Sequence, residues 1–218
     1  GKLESFIAQF DSDMQLTHER IPEKTRGKVA IIGSGPAGLT VAGDLARQGF
    51  HVTIFEGQPE AGGVLMYGIP EYRLPKAVVR NEIKKIEDLG VHFVRNCLVG
   101  TPESGVTVDS LFAEGFDAIF MGTGTALPQN LSIPGSDLRR VTQSTDFLHN
   151  VNAYVEGALP MEMVPLRKGD KVAVIGGGNV AMDAARTARR LGADVTVIYR
   201  RTQAEMPAIQ SEYEDAVK

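Results

Sequence analysis

Two short glycine clusters have the residue types and spacing that speak most directly of chemistry. One is Gly33-Ser34-Gly35-Pro36-Ala37-Gly38; the other is Gly176-Gly177-Gly178-Asn179-Val180-Ala181. In the first, Gly33 permits a tight turn, Gly35 lets backbone approach a diphosphate with no side chain between, and Gly38 lets a helix pack close to a sheet. The unpaired N–H groups and positive dipole end of that helix would then meet the phosphate charge. In the second, Ala181 replaces the last glycine, a change this pattern allows. The two clusters differ in their companions. Glu56 stands 23 residues past Gly33, where a carboxylate can accept both hydroxyls of an adenosine ribose. At the same distance past Gly176 stands Tyr199, followed by Arg200 and Arg201 with no acid. Guanidinium forks bind a 2′-phosphate that a carboxylate would repel. The spacing therefore predicts an unphosphorylated ribose at the first site and NADP(H) at the second.

Each cluster needs a strand before it and a helix after it. Val29–Ile32 is a continuous apolar run, as expected of a strand covered on both faces. Leu39, Val41, Ala42, Leu45 and Ala46 then recur at helical spacing up to Gly49, and His51–Phe55 reads as a second strand. Strand, turn, helix and strand make one βαβ unit with parallel strands. The pattern returns as Val172–Ile175, Val180–Leu191 and Val195–Tyr199, with Gly176 lying 143 residues after Gly33. That separation indicates duplication, an α/β fold of two Rossmann-like dinucleotide-binding units. Between them, Ala77–Leu89 reads as a helix, while Val91–Val99 and Phe116–Met121 read as strands, and Asp137–Pro165 as a less regular connection. The expected division is a leader helix and linker over 1–27 (Leu3, Phe6, Ile7, Phe10, then Pro22 and Gly27), a first nucleotide domain over 28–136, a connecting segment over 137–169, and the start of a second nucleotide domain over 170–218. A two-stranded sheet is marginal alone, so the second domain reads as C-terminally truncated.

The 218 residues are 43% hydrophobic and 23% charged, an ordinary globular balance that excludes a disordered or collagen-like chain. A net charge of −4 gives no electrostatic footprint for nucleic acid and no basic stripe for anionic lipid. No apolar run reaches the roughly 18–20 residues that cross a bilayer. The first ten residues lack the order of a signal peptide, so the chain reads as cytoplasmic. Cys97 is its one cysteine, which excludes disulfides and cysteine-built clusters within it and reads as a small buried hydrophobe. His18, His51, His92 and His149 have no metal-ligand spacing.

The stretch GGVLMYGIPEYRLPK (Gly62–Lys76) resembles the signature of the small, or β, subunit of NADPH-dependent glutamate synthase. Relatives of that subunit share it: the flavin subunits of ferredoxin:NADP oxidoreductase and sulfide dehydrogenase, and the N-terminal part of dihydropyrimidine dehydrogenase. Further matches are MGTGTALP (Met121–Pro128), the Gly176–Ala193 helix and VTVIYRRTQAEMPA (Val195–Ala208). The resemblance implies a two-dinucleotide-binding flavoprotein with FAD on the first unit and NADPH on the second. It places the backbone of Gly33, Gly35, Pro36, Ala37 and Gly38 at the FAD pyrophosphate and Glu56 at its ribose. Gly63, Leu65 and Arg73 would lie along the flavin half, Val99 near the adenine, and Thr123–Gly124 where the chain crosses the cofactor. Gly176, Gly178, Asn179 and Val180 would serve the NADPH phosphates, with Arg200 and Arg201 at the 2′-phosphate. The residues alone would also allow Arg73 an ordinary surface ion pair with Glu71. The resemblance implies that NADPH reduces the flavin and that electrons pass to 4Fe-4S clusters in a preceding segment or partner. The acceptor would be the large (alpha) glutamate synthase subunit or a ferredoxin-like protein, and no acid, base or nucleophile is required. The alternatives are a ferredoxin:NADP oxidoreductase or sulfide dehydrogenase flavin subunit, or a nucleotide-binding fragment without turnover.

Overall fold

The computed structural model describes Leu3, Phe6, Ile7, Phe10, Met14, residues 23–125 and residues 133–218. Backbone at those first five positions is helical, with every side chain exposed. The other positions up to Pro22 lie outside the described residues, as do positions 126–128 of the glycine-threonine stretch. The described residues form two compact units: residues 1–59 with 82–122, and residues 60–81 with 123–218.

In the first unit, β1 (Lys28–Ile32) is followed by α1 (Pro36–Arg47) and β2 (His51–Phe55). β3 (His92–Val94), α4 (Val108–Ala113) and β4 (Ala118–Met121) complete it. The strands form a sheet in the order β3-β2-β1-β4, parallel throughout. Parallel strands covered on both faces must be apolar at consecutive positions, and Val29 to Ile32 are all buried. α1 packs on β1 and β2. Against Ala30, Ile32 and Phe55, a cluster forms with Cys97 and Leu111, joined by Val94, Val99 and Phe116.

The expected strand over Val91–Val99 is shorter, ending at Val94. Asn96 takes a left-handed φ of 56°, which turns the chain out of the sheet. The Cys97 N–H then donates to the Glu56 carbonyl at 2.8 Å. Cys97 is buried as expected, and burial raises its thiol pKa.

The second unit contains α2 (Val64–Tyr67) and the start of α3 (Lys76–Asp88), the helix in which the division between units falls. α5 (Ser144–Val155), β5 (Lys171–Ile175), α6 (Asn179–Arg190), β6 (Asp194–Ile198) and α7 (Gln210–Val217) follow. α5 occupies a stretch that reads in sequence as irregular. Phe147, Leu148 and Val151 give it an apolar stripe that packs with Val164, Leu166, Val174 and Met182. Short 3₁₀ turns lie at Met161–Met163 and Gln203–Glu205. β5 and β6 form a parallel two-stranded sheet with Lys171 opposite Asp194. The same 23-residue offset relates Lys28 and His51 in the first unit.

Candidate nucleotide-binding turns

The two glycine clusters fold alike. Gly33 leaves β1 with φ 96° and Gly176 leaves β5 with φ 138°, conformations that a side chain would strain. The Gly33 N–H donates to the Phe55 carbonyl at 2.8 Å, and the Gly176 N–H to the Ile198 carbonyl at 2.9 Å. Each turn is thereby tied to the end of the second strand of its βαβ unit. Gly35 and Gly178 then serve as helix N-caps with extended backbone and no side-chain cap, and neither first turn carries an acid. Uncapped N–H groups at the positive end of a twelve-residue helix make a receptor for an anion. A Cβ built on Gly35 or Gly178 meets no atom within 4 Å, so both turns face open space where a diphosphate would lie against backbone. Pro36, Ala37 and Val180 are exposed on the first helical turns.

The third position of each cluster is closely packed. A Cβ on Gly38 would overlap the Gly33 carbonyl oxygen, so a glycine is required there. In the second unit Ala181 is accepted and buried, its Cβ 3.4 Å from where one on Gly176 would stand. In the first unit, a Cβ on Gly122, just after β4, would lie 3.3 Å from the Gly38 nitrogen. The sheet thus brings the Gly122 backbone beside the first turn of α1, with exposed Thr123 and Gly124 following in sequence.

Glu56 is buried at the end of β2, where its Oε2 accepts from the Ser34 N–H at 3.0 Å and from the Ser34 hydroxyl. Its Oε1 accepts from the Gln58 N–H at 2.8 Å. These bonds fix the carboxylate beside the first turn as an acceptor. In the second unit Tyr199 takes the equivalent place. Arg200 and Arg201 are exposed, and neither guanidinium has an ion-pair partner among the described residues. The Asn179 side chain does not face outward as a free group; its Oδ1 accepts from the Ile209 N–H at 2.9 Å. A phosphate role at Asn179 therefore falls to its backbone.

The signature stretch is placed differently from the rest. Gly63, the N-cap of α2 with φ 54°, belongs with Leu65 and Arg73 to the second compact unit. Val99 packs in the first. Arg73 does not pair with Glu71, whose Oε2 instead accepts from the Lys76 N–H. Arg73 donates to Asp183 Oδ2 on α6 at 2.6 Å and approaches Glu212 on α7 at 3.3 Å. Tyr72 lies under the guanidinium groups of Arg186 and Arg190, at 4.7 and 3.8 Å from the ring centre. Asp183 is buried, and desolvation raises its pKa against the opposing pull of Arg73. Lys76, also buried, donates its ammonium to the Leu65 and Ile69 carbonyls, with a pKa lowered by desolvation. Asn152 on α5 donates to the Tyr67 carbonyl at 2.8 Å. Sequence reading missed this network, because Asp183, Arg186 and Glu212 look like the polar face of surface helices.

Comparison with known proteins agrees with this geometry. Residues 27–218 match the family model described as pyridine nucleotide-disulphide oxidoreductase. The chain is 45% identical to the NADP(+)-dependent formate dehydrogenase subunit beta of Moorella thermoacetica over 192 residues, 87% of this chain and 26% of that protein. It is 40% identical to the glutamate synthase [NADPH] small chain of Halomonas elongata, over 88% of this chain and 40% of that one. The resemblance drawn from the signature is borne out. Among solved structures, FprA of Mycobacterium tuberculosis in complex with NADPH superposes with a TM-score of 0.68 at 25% identity, over 88% of this chain and 47% of that one. The chain thus spans between a quarter and a half of the length of these proteins. Among the described residues no helix is long and apolar enough to cross a membrane. With two parallel βαβ units, two glycine turns of one design, and a family match across nearly all of its length, the chain belongs to the pyridine nucleotide-disulphide oxidoreductase family.

Proposed function

We propose that this chain is the two-nucleotide module of an FAD- and NADPH-dependent oxidoreductase of the glutamate synthase β-subunit type. The observation that carries this is the divergence of two otherwise equivalent turns. Glu56 offers a fixed carboxylate to an unphosphorylated ribose, whereas Arg200 and Arg201 offer two unpaired cations to a 2′-phosphate. Gly33–Gly38 and Glu56 would hold the FAD adenosine diphosphate. Gly176–Ala181 with Arg200 and Arg201 would hold NADPH. When bound, the two cofactors supply hydride transfer from nicotinamide to flavin and its onward division into single electrons. The chain's own residues bind and orient; none is assigned a proton-transfer step.

Electrons would leave to 4Fe-4S clusters in a preceding segment or a partner, since Cys97 alone cannot ligate one. The names "subunit beta" and "small chain" among the relatives support a partner subunit, here a large glutamate synthase chain or a ferredoxin-like acceptor. A second reading is nucleotide binding without turnover, which the uncapped helix N-termini at Gly35 and Gly178 would support by themselves.

The test is direct. Replacing Arg200 and Arg201 together with Ala is expected to weaken NADPH binding roughly a hundredfold, the weight of two charge-assisted contacts, with NADH affected less than threefold. Equal losses for both nucleotides would overturn the assignment of the second turn. Purified protein that shows no flavin absorbance and takes up no added FAD would remove the enzyme reading and leave the binding module.

A further inference from the structure

Resting on the reading of Arg200 and Arg201 given above, we propose that Tyr199, with Glu205 and Asn179, is a positioning device that sets the preference of the second turn for a phosphomonoester on the ribose.

Ile198 pairs with Ile175, so the residue after it is delivered beside the turn that leaves β5. A Cβ on Gly177 would stand 2.7 Å from Cδ2 of the Tyr199 ring, 2.9 Å from Cε2 and 3.0 Å from Cγ. The ring therefore packs against the bare Gly177 backbone, and no larger residue fits between them. The Tyr199 hydroxyl reaches past the turn and donates to the Glu205 carbonyl at 3.0 Å. Glu205 closes the 3₁₀ turn Gln203–Glu205, and its Oε2 accepts from the Thr202 N–H at 3.1 Å and the Thr202 hydroxyl at 2.9 Å. The chain then returns to its starting point. The Ala208 N–H donates to the Gly177 carbonyl at 3.0 Å, and the Ile209 N–H to Asn179 Oδ1 at 2.9 Å.

Residues 199–209 are thus a closed loop, fastened at both ends to Gly177–Asn179. Arg200 and Arg201 ride at its start, exposed and without ion-pair partners among the described residues. An arginine head is long and loses rotamer freedom on binding, so affinity depends on how far its backbone is fixed in advance. Here the fixing comes from the ring, its hydroxyl and the tether. Because the same turn offers N–H groups to the diphosphate, the loop also sets the spacing between diphosphate and ribose sites.

Dissociation constants for NADPH and NADH would be measured by calorimetry on the chain and its variants, with folding checked by circular dichroism and thermal melting. Tyr199→Ala is expected to raise the NADPH constant roughly tenfold, the weight of one lost hydrogen bond and a lost ring contact, while NADH changes less than twofold. Tyr199→Phe keeps the ring and loses the hydroxyl, giving roughly a threefold loss. Glu205→Gln retains an acceptor for Thr202 and should preserve the preference, whereas Glu205→Ala should reduce it. A folded Tyr199→Ala protein with an unchanged NADPH-to-NADH ratio would overturn the proposal. If Tyr199→Ala does not fold, unchanged ratios in both Tyr199→Phe and Glu205→Ala would do the same. Failure of the underlying reading looks different: the Arg200, Arg201 double variant would keep its NADPH preference, or the unaltered chain would bind neither nucleotide.

Discussion

At a constant offset of 143 residues, Ser34 of the first turn corresponds to Gly177 of the second, and Glu56 to Tyr199. In the first unit the pair is joined by hydrogen bonds from the Ser34 N–H and hydroxyl to a buried carboxylate. In the second it is joined by a ring pressed against a residue with no side chain. One backbone plan, with the same strand-end bonds from Gly33 and Gly176, therefore carries two mutually exclusive couplings. An acid at the strand end needs donors from the turn, whereas an aromatic there needs an empty turn position. The difference in ribose chemistry is thus accompanied by a matched change 22 residues upstream, and substituting the strand-end residue alone would leave its partner position wrong.

The strongest way to break this comparison is at the third position of each cluster. Gly38→Ala would drive a methyl into the Gly33 carbonyl oxygen, and we expect it to destabilise the first unit by about 3 kcal/mol or more, since backbone must move. Its mirror, Ala181→Gly, should cost about 1–2 kcal/mol through helix propensity and the loss of one buried methyl. Urea unfolding followed by circular dichroism would check both, and similar losses would show the two turns to be less distinct than drawn.

A smaller effect is expected at Glu56. Glu56→Gln places an amide where both carboxylate oxygens now accept, so one of the Ser34 or Gln58 N–H groups loses its acceptor. The expected loss is about 2 kcal/mol by the same denaturation measurement. A loss within error would mean that Ser34 and Gln58 reorganise freely and that the carboxylate is not fixed by the turn.

The smallest effect tests the second unit through His149, stacked on Tyr67 with ring centres 4.8 Å apart. Desolvation lowers its pKa below 6.5, with Asp146 opposing. The folded state then binds a proton less readily than the unfolded one. Stability from neutral His149 is complete above the unfolded pKa and is lost as pH falls through the folded value. His149→Phe should therefore flatten the loss of stability as the pH falls below about 6.5. An unchanged pH slope would show that the stack does not hold the imidazole neutral.

Much of this was legible in the sequence, for identifiable reasons. Consecutive apolar residues at Val29–Ile32 betray a strand covered on both faces, and Gly33, Gly35 and Gly38 answer to local steric demands that recur wherever the turn does. α5 was hidden because Asn150 and Asn152 interrupt its apolar stripe, although Asn152 is there to hold the Tyr67 carbonyl. β3 was overextended because Cys97 and Val99 are buried for tertiary reasons after the strand has ended. Arg73 could not be assigned a partner from its neighbours, since Asp183 lies 110 residues away. The role of Tyr199 becomes visible only when the two copies are aligned and the ring is found opposite a glycine.

Residues 60–81 are interrupted on both sides by first-unit sequence, yet they pack with the second unit through Asn152, Asp183 and Glu212. The polypeptide accordingly crosses the division three times, at positions 59, 81 and 122. Within this chain no single cut releases either unit intact, so each unit depends on two separate stretches of polypeptide meeting as it folds.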